Sequence, residues 1–238
     1  VSRAGQQVAI VTGGSQGIGA GLVAGYRRLG WAVVANARTI RPSQDSDVLS
    51  VEGDVSAPAT AERIIGGVLD RFGRIDTLVN NAGVYISKPF TDYTAADYAL
   101  VTGVNLGGFF WLTQAAVAEM LNRHGGHVVN ISATIAEVAD SSSPSVLTAL
   151  TKGGLACATR SLAVEYASRG IRVNAVSPGI IKTSMHPADS YDNLGDQLPP
   201  LGRVGQVSDV VDAVLFLEAS PYITGEILHV DGGQIAGH

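Results

Sequence analysis

The chain has a single cysteine, Cys157, among its 238 residues, so no disulfide can form within it and no thiol pair is available for metal or redox chemistry. A lone thiol is compatible with a reducing compartment, and Cys157 itself is expected to be a small buried helix residue. Charge is also scarce, at 16% of residues with a formal net charge of -5. The three lysines, Lys88, Lys152 and Lys182, are far apart. That leaves no basic field for a phosphate backbone and argues against nucleic acid as a partner. No apolar run reaches the ~18 residues needed to span a bilayer, and Val1 to Gln7 lacks both the charged and the apolar part of a secretory signal. The expectation is a soluble, cytoplasmic protein without a membrane partner. His124 and His127 flank Gly125-Gly126 with no third ligand nearby, which predicts capping or solvent exposure and no metal site.

What is abundant is apolar residues, at 46%, enough in a chain of this length to fill one sizeable core. Short β-branched runs alternate with longer segments of helical period. The predicted strands are Val8 to Thr12, Ala32 to Ala37, Val48 to Val51, Thr77 to Asn80, His127 to Ile131, Arg172 to Ser177 and Ile227 to Val230. Between them, Ile64, Val68 and Phe72 recur at helical spacing, as do Val207, Val210, Val211, Val214 and Leu215 opposite Asp209 and Asp212. The alternation predicts α/β architecture: a single-domain, three-layer Rossmann-type sandwich over residues 1–238, with a seven-stranded parallel sheet and helices on both faces. Ser141 to Ser145, interrupted by Pro144, reads as a loop before a helix.

The densest motif follows the first strand: Thr12-Gly13-Gly14-Ser15-Gln16-Gly17-Ile18-Gly19, running into a helical segment. Glycines there permit a tight turn, close approach of backbone to a pyrophosphate, and close helix-to-strand packing, while the helix N-terminus offers free N–H groups to the anion. A carboxylate ending the second strand would bond a ribose 2′-hydroxyl and select NAD. Here that strand ends Ala35-Asn36-Ala37-Arg38, and a guanidinium after a small neutral residue suits a 2′-phosphate. The expected cofactor is NADP in preference to NAD, with Arg38 as its discriminating residue and Arg41 nearby.

Together with Asp54-Val55, Asn80-Asn81-Ala82-Gly83, Val104-Asn105-Leu106, Lys152, Ser177-Pro178-Gly179 and Asp231-Gly232-Gly233, the glycine motif resembles the short-chain dehydrogenase/reductase family over essentially the whole chain. The resemblance implies that Gly13, Ser15, Gln16, Gly17, Ile18 and Gly19 cradle the dinucleotide and that Asp54 and Val55 touch its adenine. Asn81, Ala82 and Gly83 would support the cleft, and Pro178, Gly179, Ile181 and Thr183 would lie against the nicotinamide, with Thr183 on its amide. It further implies Lys152 and Asn105 as catalytic residues, a small-molecule substrate, and a homo-oligomer, tetramer or dimer, built through the helices around Leu106 to Met120 and Leu150 to Ala167.

The chain departs from that pattern where the proton is handled. Family members place a tyrosine four residues before the lysine; here that position is Thr148. A phenol near pKa ~10 can be tuned by an adjacent ammonium, whereas a threonine hydroxyl only shares a hydrogen bond. The family's Asn-Ile-Ser-Ser run reads Asn130-Ile131-Ser132-Ala133-Thr134, so strict register puts Ala133 at the catalytic serine, with Ser132 or Thr134 as possible substitutes. Tyr85, Glu137, Asp140, and His186 or Tyr191 in a lid from Ser184 to Pro200 are the other candidate donors. The expected function is NADP-dependent hydride transfer between nicotinamide and a small carbonyl or alcohol, or an imine or amine, with an atypical proton relay. The alternative is a catalytically impaired NADP-binding protein acting as a sensor or partner subunit.

Overall fold

The computed structural model describes residues 5–183 and 198–237. Seven strands form one parallel sheet: β1 Val8–Thr12, β2 Ala32–Ala37, β3 Val48–Glu52, β4 Thr77–Asn80, β5 Gly126–Ile131, β6 Ile171–Pro178 and β7 Ile227–Val230, in the spatial order β3-β2-β1-β4-β5-β6-β7. Four of the seven match the expected bounds to the residue, and the other three extend by one or two residues. Strands β1, β2 and β4 are buried along their whole length. Burial on both faces is why they read as continuous apolar runs without alternation.

Helices α1 Gly17–Arg28 and α6 Val207–Glu218 cover one face; α2 Pro58–Phe72, α4 Gly108–Asn122 and α5 Val146–Tyr166 cover the other. The predicted stripes are the buried ones. Ile64, Val68 and Phe72 pack with Val8, Ile10, Val34 and Leu78, while Val210, Val211 and Val214 pack with Leu22, Val33 and Val176. Helices α1 and α6 meet at glycine: a Cβ on Gly21 would lie 2.4 Å from Val207 Cγ1, and one on Gly25 2.9 Å from Val211 Cγ1.

Chain direction along the sheet reverses between β1 and β4, which both start from the centre. In open α/β sheets the crevice outside the carboxyl ends at such a switch point is where ligands bind, and the glycine motif lies there.

Three expectations need correction. Cys157 is exposed on α5, because at i+7 from exposed Leu150 and i-7 from exposed Val164 it falls on the outer stripe of that helix. His127 neither caps a helix nor faces solvent: as the second residue of β5 it is 2% exposed and lies among polar side chains. Helix α3 Ala95–Thr102, a π turn at Gly103–Gly107, and α4 run on as one stretch, Ala95–Asn122, that by length and composition alone could cross a bilayer. Its Val101, Leu112, Ala116, Val117 and Met120 are buried against the rest of the protein, which is the ordinary cause of such an apolar helix.

Candidate active site

The glycine turn is fixed from beneath by β4. Thr12 Oγ1 accepts hydrogen bonds from Asn81 N and Ala82 N, each 3.0 Å, and Asn81 Nδ2 donates to Thr12 O at 2.8 Å. Gly13 and Gly17 adopt φ of +66° and +53°, the left-handed region that disfavours side chains. At Gly19 space decides, since an added Cβ would stand 2.0 Å from Gly13 O. Gln16 precedes α1 without a side-chain cap, and no acidic residue occupies the first turn. The first amides of α1 are thus left to an outside acceptor, and the helix dipole favours an anionic one. Ser15 and Gln16 are exposed over this turn, while Ile18 is half-buried and packs towards the core. Thr183 faces the same turn, with its Cβ 3.5 Å from where a Gly17 Cβ would be.

At the end of β2, Asn36 turns inward and its Nδ2 donates to Val51 O and Gly53 O, tying β2 to β3. Ala37 is buried, and Arg38 emerges exposed with no hydrogen bond or ion pair to any described residue. The residues that follow it help to line a cavity of about 440 Å³, whose wall includes Gly14, Ser15, Ala35, Thr39, Arg41 and Ser43. No carboxylate lines this corner, so a dianionic group would meet hydroxyls and guanidinium groups. On the opposite side Asp54 Oδ1 accepts from Ser56 N at 2.9 Å, which shapes the loop after β3. The Val55 side chain turns into α4, where a Cβ on Gly108 would approach it to 2.8 Å.

Lys152 is buried on α5, and its Nζ donates to Ile131 O at 2.6 Å. No carboxylate among the described residues pairs with it, and desolvation lowers its pKa to about 8. The π turn carries Asn105 inward. There its Oδ1 accepts from Val84 N at 2.9 Å, and its Nδ2 donates to Val84 O at 3.1 Å and Thr151 Oγ1 at 3.0 Å. Asn105 therefore clamps the loop after β4, with every polar atom of its amide used. Gly83 lies between the two side chains: a Cβ on it would be 3.3 Å from Lys152 Nζ and 3.5 Å from Asn105 Oδ1.

Neither hydroxyl proposed from the sequence points at Nζ. Ser132 Oγ donates to Lys152 O at 3.3 Å, and Thr148 Oγ1 lies 3.5 Å from Ile86 N as its acceptor. Ala133 precedes the short 3-10 turn Thr134–Ala136 as its cap, and Ser132, buried, faces the backbone of α5. Thr134 Oγ1 reaches Gln234 Oε1 at 3.2 Å. Tyr85 is on the rim with its phenol 2.6 Å from Ser143 Oγ. Glu137 pairs with His229 at 2.9 Å, and Asp140 Oδ1 accepts from Ser142 N and Oγ. His186 and Tyr191 lie outside the described residues, as does the lid apart from its final residues, 198–200.

Behind these groups runs a buried polar layer that the sequence reading did not identify. Asn80 Nδ2 donates to Thr113 Oγ1 and Asn130 Oδ1, and Asn130 Nδ2 donates to Thr159 Oγ1, all at 2.9 Å. Its signal was an asparagine at the end of β4 and another one residue before the end of the adjacent β5, in matching register. Pro178, the last residue of β6, and Gly179 after it run beside β7, where Gly179 N donates to Val230 O and its missing side chain leaves room for Asp231 and Gln234. Ile181 bridges to Gly205 and buries its side chain towards α6. Among the described residues no three potential ligands gather into a metal site.

Comparison with known proteins matches this arrangement to one group. The family described as Enoyl-(Acyl carrier protein) reductase matches residues 13–234. The 3-oxoacyl-(acyl-carrier-protein) reductase FabG of Escherichia coli is 34% identical over 238 aligned residues, covering 96% of this chain and 97% of its own. A solved structure of ElxO with NADP bound superposes with a TM-score of 0.89 at 28% identity, covering 98% of this chain and all of that one. A tyrosine-to-phenylalanine variant of ElxO with NADPH bound superposes with a TM-score of 0.88 at the same identity and coverage. A short-chain type dehydrogenase/reductase from Mycobacterium marinum gives a TM-score of 0.89 at 27% identity, covering 97% of this chain and 96% of that one. With the motif, the sheet order and these likenesses in agreement, the chain belongs to the short-chain dehydrogenase/reductase family of oxidoreductases.

Proposed function

We propose that the protein is an NADP-dependent oxidoreductase that moves hydride between the nicotinamide and a small carbonyl or alcohol, or an imine or amine, without the family's tyrosine acid. The observation that carries the reading is the glycine turn with its uncapped helix amides, next to a cavity lined by Ser15 and Arg41 with no carboxylate among its described residues, and to an Arg38 that pairs with none of the described residues. The turn and helix suit a pyrophosphate; Arg38 and Ser15 suit a 2′-phosphate. The hydride comes from the nicotinamide when the cofactor is bound. Lys152, held below Gly83, is placed to hold ribose hydroxyls, and Asn105 keeps the loop above it in position. ElxO with NADPH bound and one tyrosine changed to phenylalanine supports cofactor binding on this scaffold without every tyrosine hydroxyl.

The same reading places the chain as one domain in the cytoplasm, acting on a small molecule and not on nucleic acid or membrane. It also makes the protein a homo-oligomer, tetramer or dimer, which the exposed Phe110, Trp111, Leu150 and Val164 on α4 and α5 support. A second reading, a cofactor-binding sensor or partner subunit without turnover, is favoured by one observation: the hydroxyls of Ser132 and Thr148 are both engaged with backbone.

Fluorescence titration with NADPH and NADH, followed by NADPH consumption over a carbonyl and imine panel, separates the two. Binding with turnover supports the first reading; tight binding with no turnover anywhere transfers the chain to the second. Arg38→Ser should cost about tenfold or more in NADPH affinity while sparing NADH, the loss of one charge-assisted contact.

A further inference from the structure

We propose that Lys152 is itself the proton donor of this site, its Nζ releasing the proton that the substrate oxygen takes up as hydride arrives. The inference rests on the oxidoreductase reading and gives the lysine a different task from that of a group that assists a phenol. The hydroxyls nearest it are committed elsewhere. Ser132 donates to Lys152 O, Thr151 Oγ1 donates to Thr148 O at 3.0 Å and accepts from Asn105, and Thr148 Oγ1 faces Ile86 N. By contrast, among the described residues Nζ makes one hydrogen bond, to Ile131 O, leaving two of the three N–H donors of an ammonium for a ribose hydroxyl and the substrate oxygen.

Space and surroundings agree. Gly83 leaves the volume beside Nζ open where any side chain would intrude, and a threonine one turn before Lys152 occupies far less of that face than an aromatic ring. The described groups around Nζ are Ile131 O from β5, Gly83 from the loop after β4 and Asn105 from the π turn, while Thr148 and Thr151 on its own helix turn their hydroxyls to Ile86 N, Thr148 O and Asn105. None of them titrates near neutral pH, and Lys152 forms no ion pair among the described residues. Burial without a counter-charge therefore acts alone, and it places the amine at about 8, close to the range where an acid both holds and yields its proton.

The step balances. The hydride pair forms the new C–H bond at the carbonyl carbon, and the carbonyl π pair forms the O–H bond with the proton from Nζ. The cofactor leaves oxidised, and the neutral amine of Lys152 regains a proton from water.

Two measurements test this. Lysine side-chain NMR of the cofactor-free protein, with Lys152→Gln to assign the signal, should show Lys152 titrating near 8. Carbonyl reduction with NADPH should then fall about tenfold per pH unit above that value, as expected for a single essential acid. Lys152→Arg, whose guanidinium cannot release a proton, should retain NADPH binding and lose about 100-fold or more in rate. A lysine still charged at pH 10, a flat rate profile, an undiminished rate in a folded Lys152→Arg, or loss of the alkaline limb in Tyr85→Phe would each overturn the proposal. If Lys152→Arg fails to fold, the titration and the profile of the unaltered protein decide. Turnover with a flat profile removes this inference alone, whereas bound NADPH with no turnover on any substrate removes the oxidoreductase reading and this inference with it.

Discussion

The two ends of the sheet treat charge in opposite ways. At the amino ends of β4, β5 and β6, Glu218 Oε2 accepts from Tyr26 Oη at 2.8 Å, Thr77 Oγ1 at 2.9 Å and His127 Nδ1 at 3.2 Å. His127 Nε2 in turn accepts from Asn174 Nδ2 and faces Arg172, whose guanidinium also donates to Leu217 O and Ile223 O. Nearly every donor in that cluster has an acceptor within the protein. At the carboxyl ends, Arg38, the first amides of α1 and two N–H bonds of Lys152 have no such partner among the described residues. A closed network holds helices α1 and α6 to the sheet; an open set of donors is what an anionic cofactor needs. The same polar chemistry serves stability at one end and binding at the other, according to whether its valences are filled.

The sharpest way to break that contrast is at Glu218. Glu218→Ala leaves the half-buried Arg172 without its counter-charge and strips the buried Tyr26, Thr77 and His127 of a shared acceptor, so about 3–5 kcal/mol of stability should be lost. Chemical denaturation measures this directly. NADPH affinity of the fraction that remains folded should be unchanged, because the network is at the far end of the strands from the glycine turn. A large fall in affinity at constant folding would show that the two ends are coupled.

The converse change is at the turn. Gly19→Ala places a methyl 2.0 Å from Gly13 O, which the backbone can relieve only by lifting the turn off Asn81. NADPH binding should weaken about 10- to 100-fold, while stability falls by about 1–3 kcal/mol, the range for overpacking. Isothermal titration and denaturation of the same preparation separate the two losses. Unaltered affinity would mean that the cofactor does not dock on this turn.

These two edges also differ in how far the sequence revealed them. All seven strands and the glycine turn were legible, because hydrophobic runs and glycine spacing are local signals. The empty phenol position was legible too, since Thr148 and Lys152 are separated by one helical turn. What was not legible depends on partners distant in the chain. Thr77, His127 and Glu218 carry no motif, and Tyr26 meets Glu218 across 192 positions. His127 looked like a residue at a helix end because the chain enters β5 one residue earlier than its apolar run suggests. Cys157 was misplaced because α5 is apolar on both sides, leaving Leu150 and Val164 on the surface, so composition did not distinguish its faces.

The smallest expected effect concerns pH. Burial holds His127 below the ordinary histidine pKa, outweighing the pull of Glu218, and Asn174 and Arg172 present donors to the Nε2 that a proton would occupy. The folded protein therefore keeps a neutral imidazole, while the unfolded chain takes up a proton below about 6.5. Stability from this group is complete above that pH and declines as pH falls below it, by at most about 1.4 kcal/mol per unit. Glu218, whose burial tends to raise its pKa, is nonetheless held below its usual value by hydrogen bonds from His127, Tyr26 and Thr77, so its own contribution disappears only at lower pH. Denaturation at pH 5, 6, 7 and 8 should show the decline beginning in the histidine range, and His127→Gln should flatten it there while leaving the acid limb intact. An equal slope in both proteins would assign the loss to the carboxylates and leave the imidazole a packing role alone.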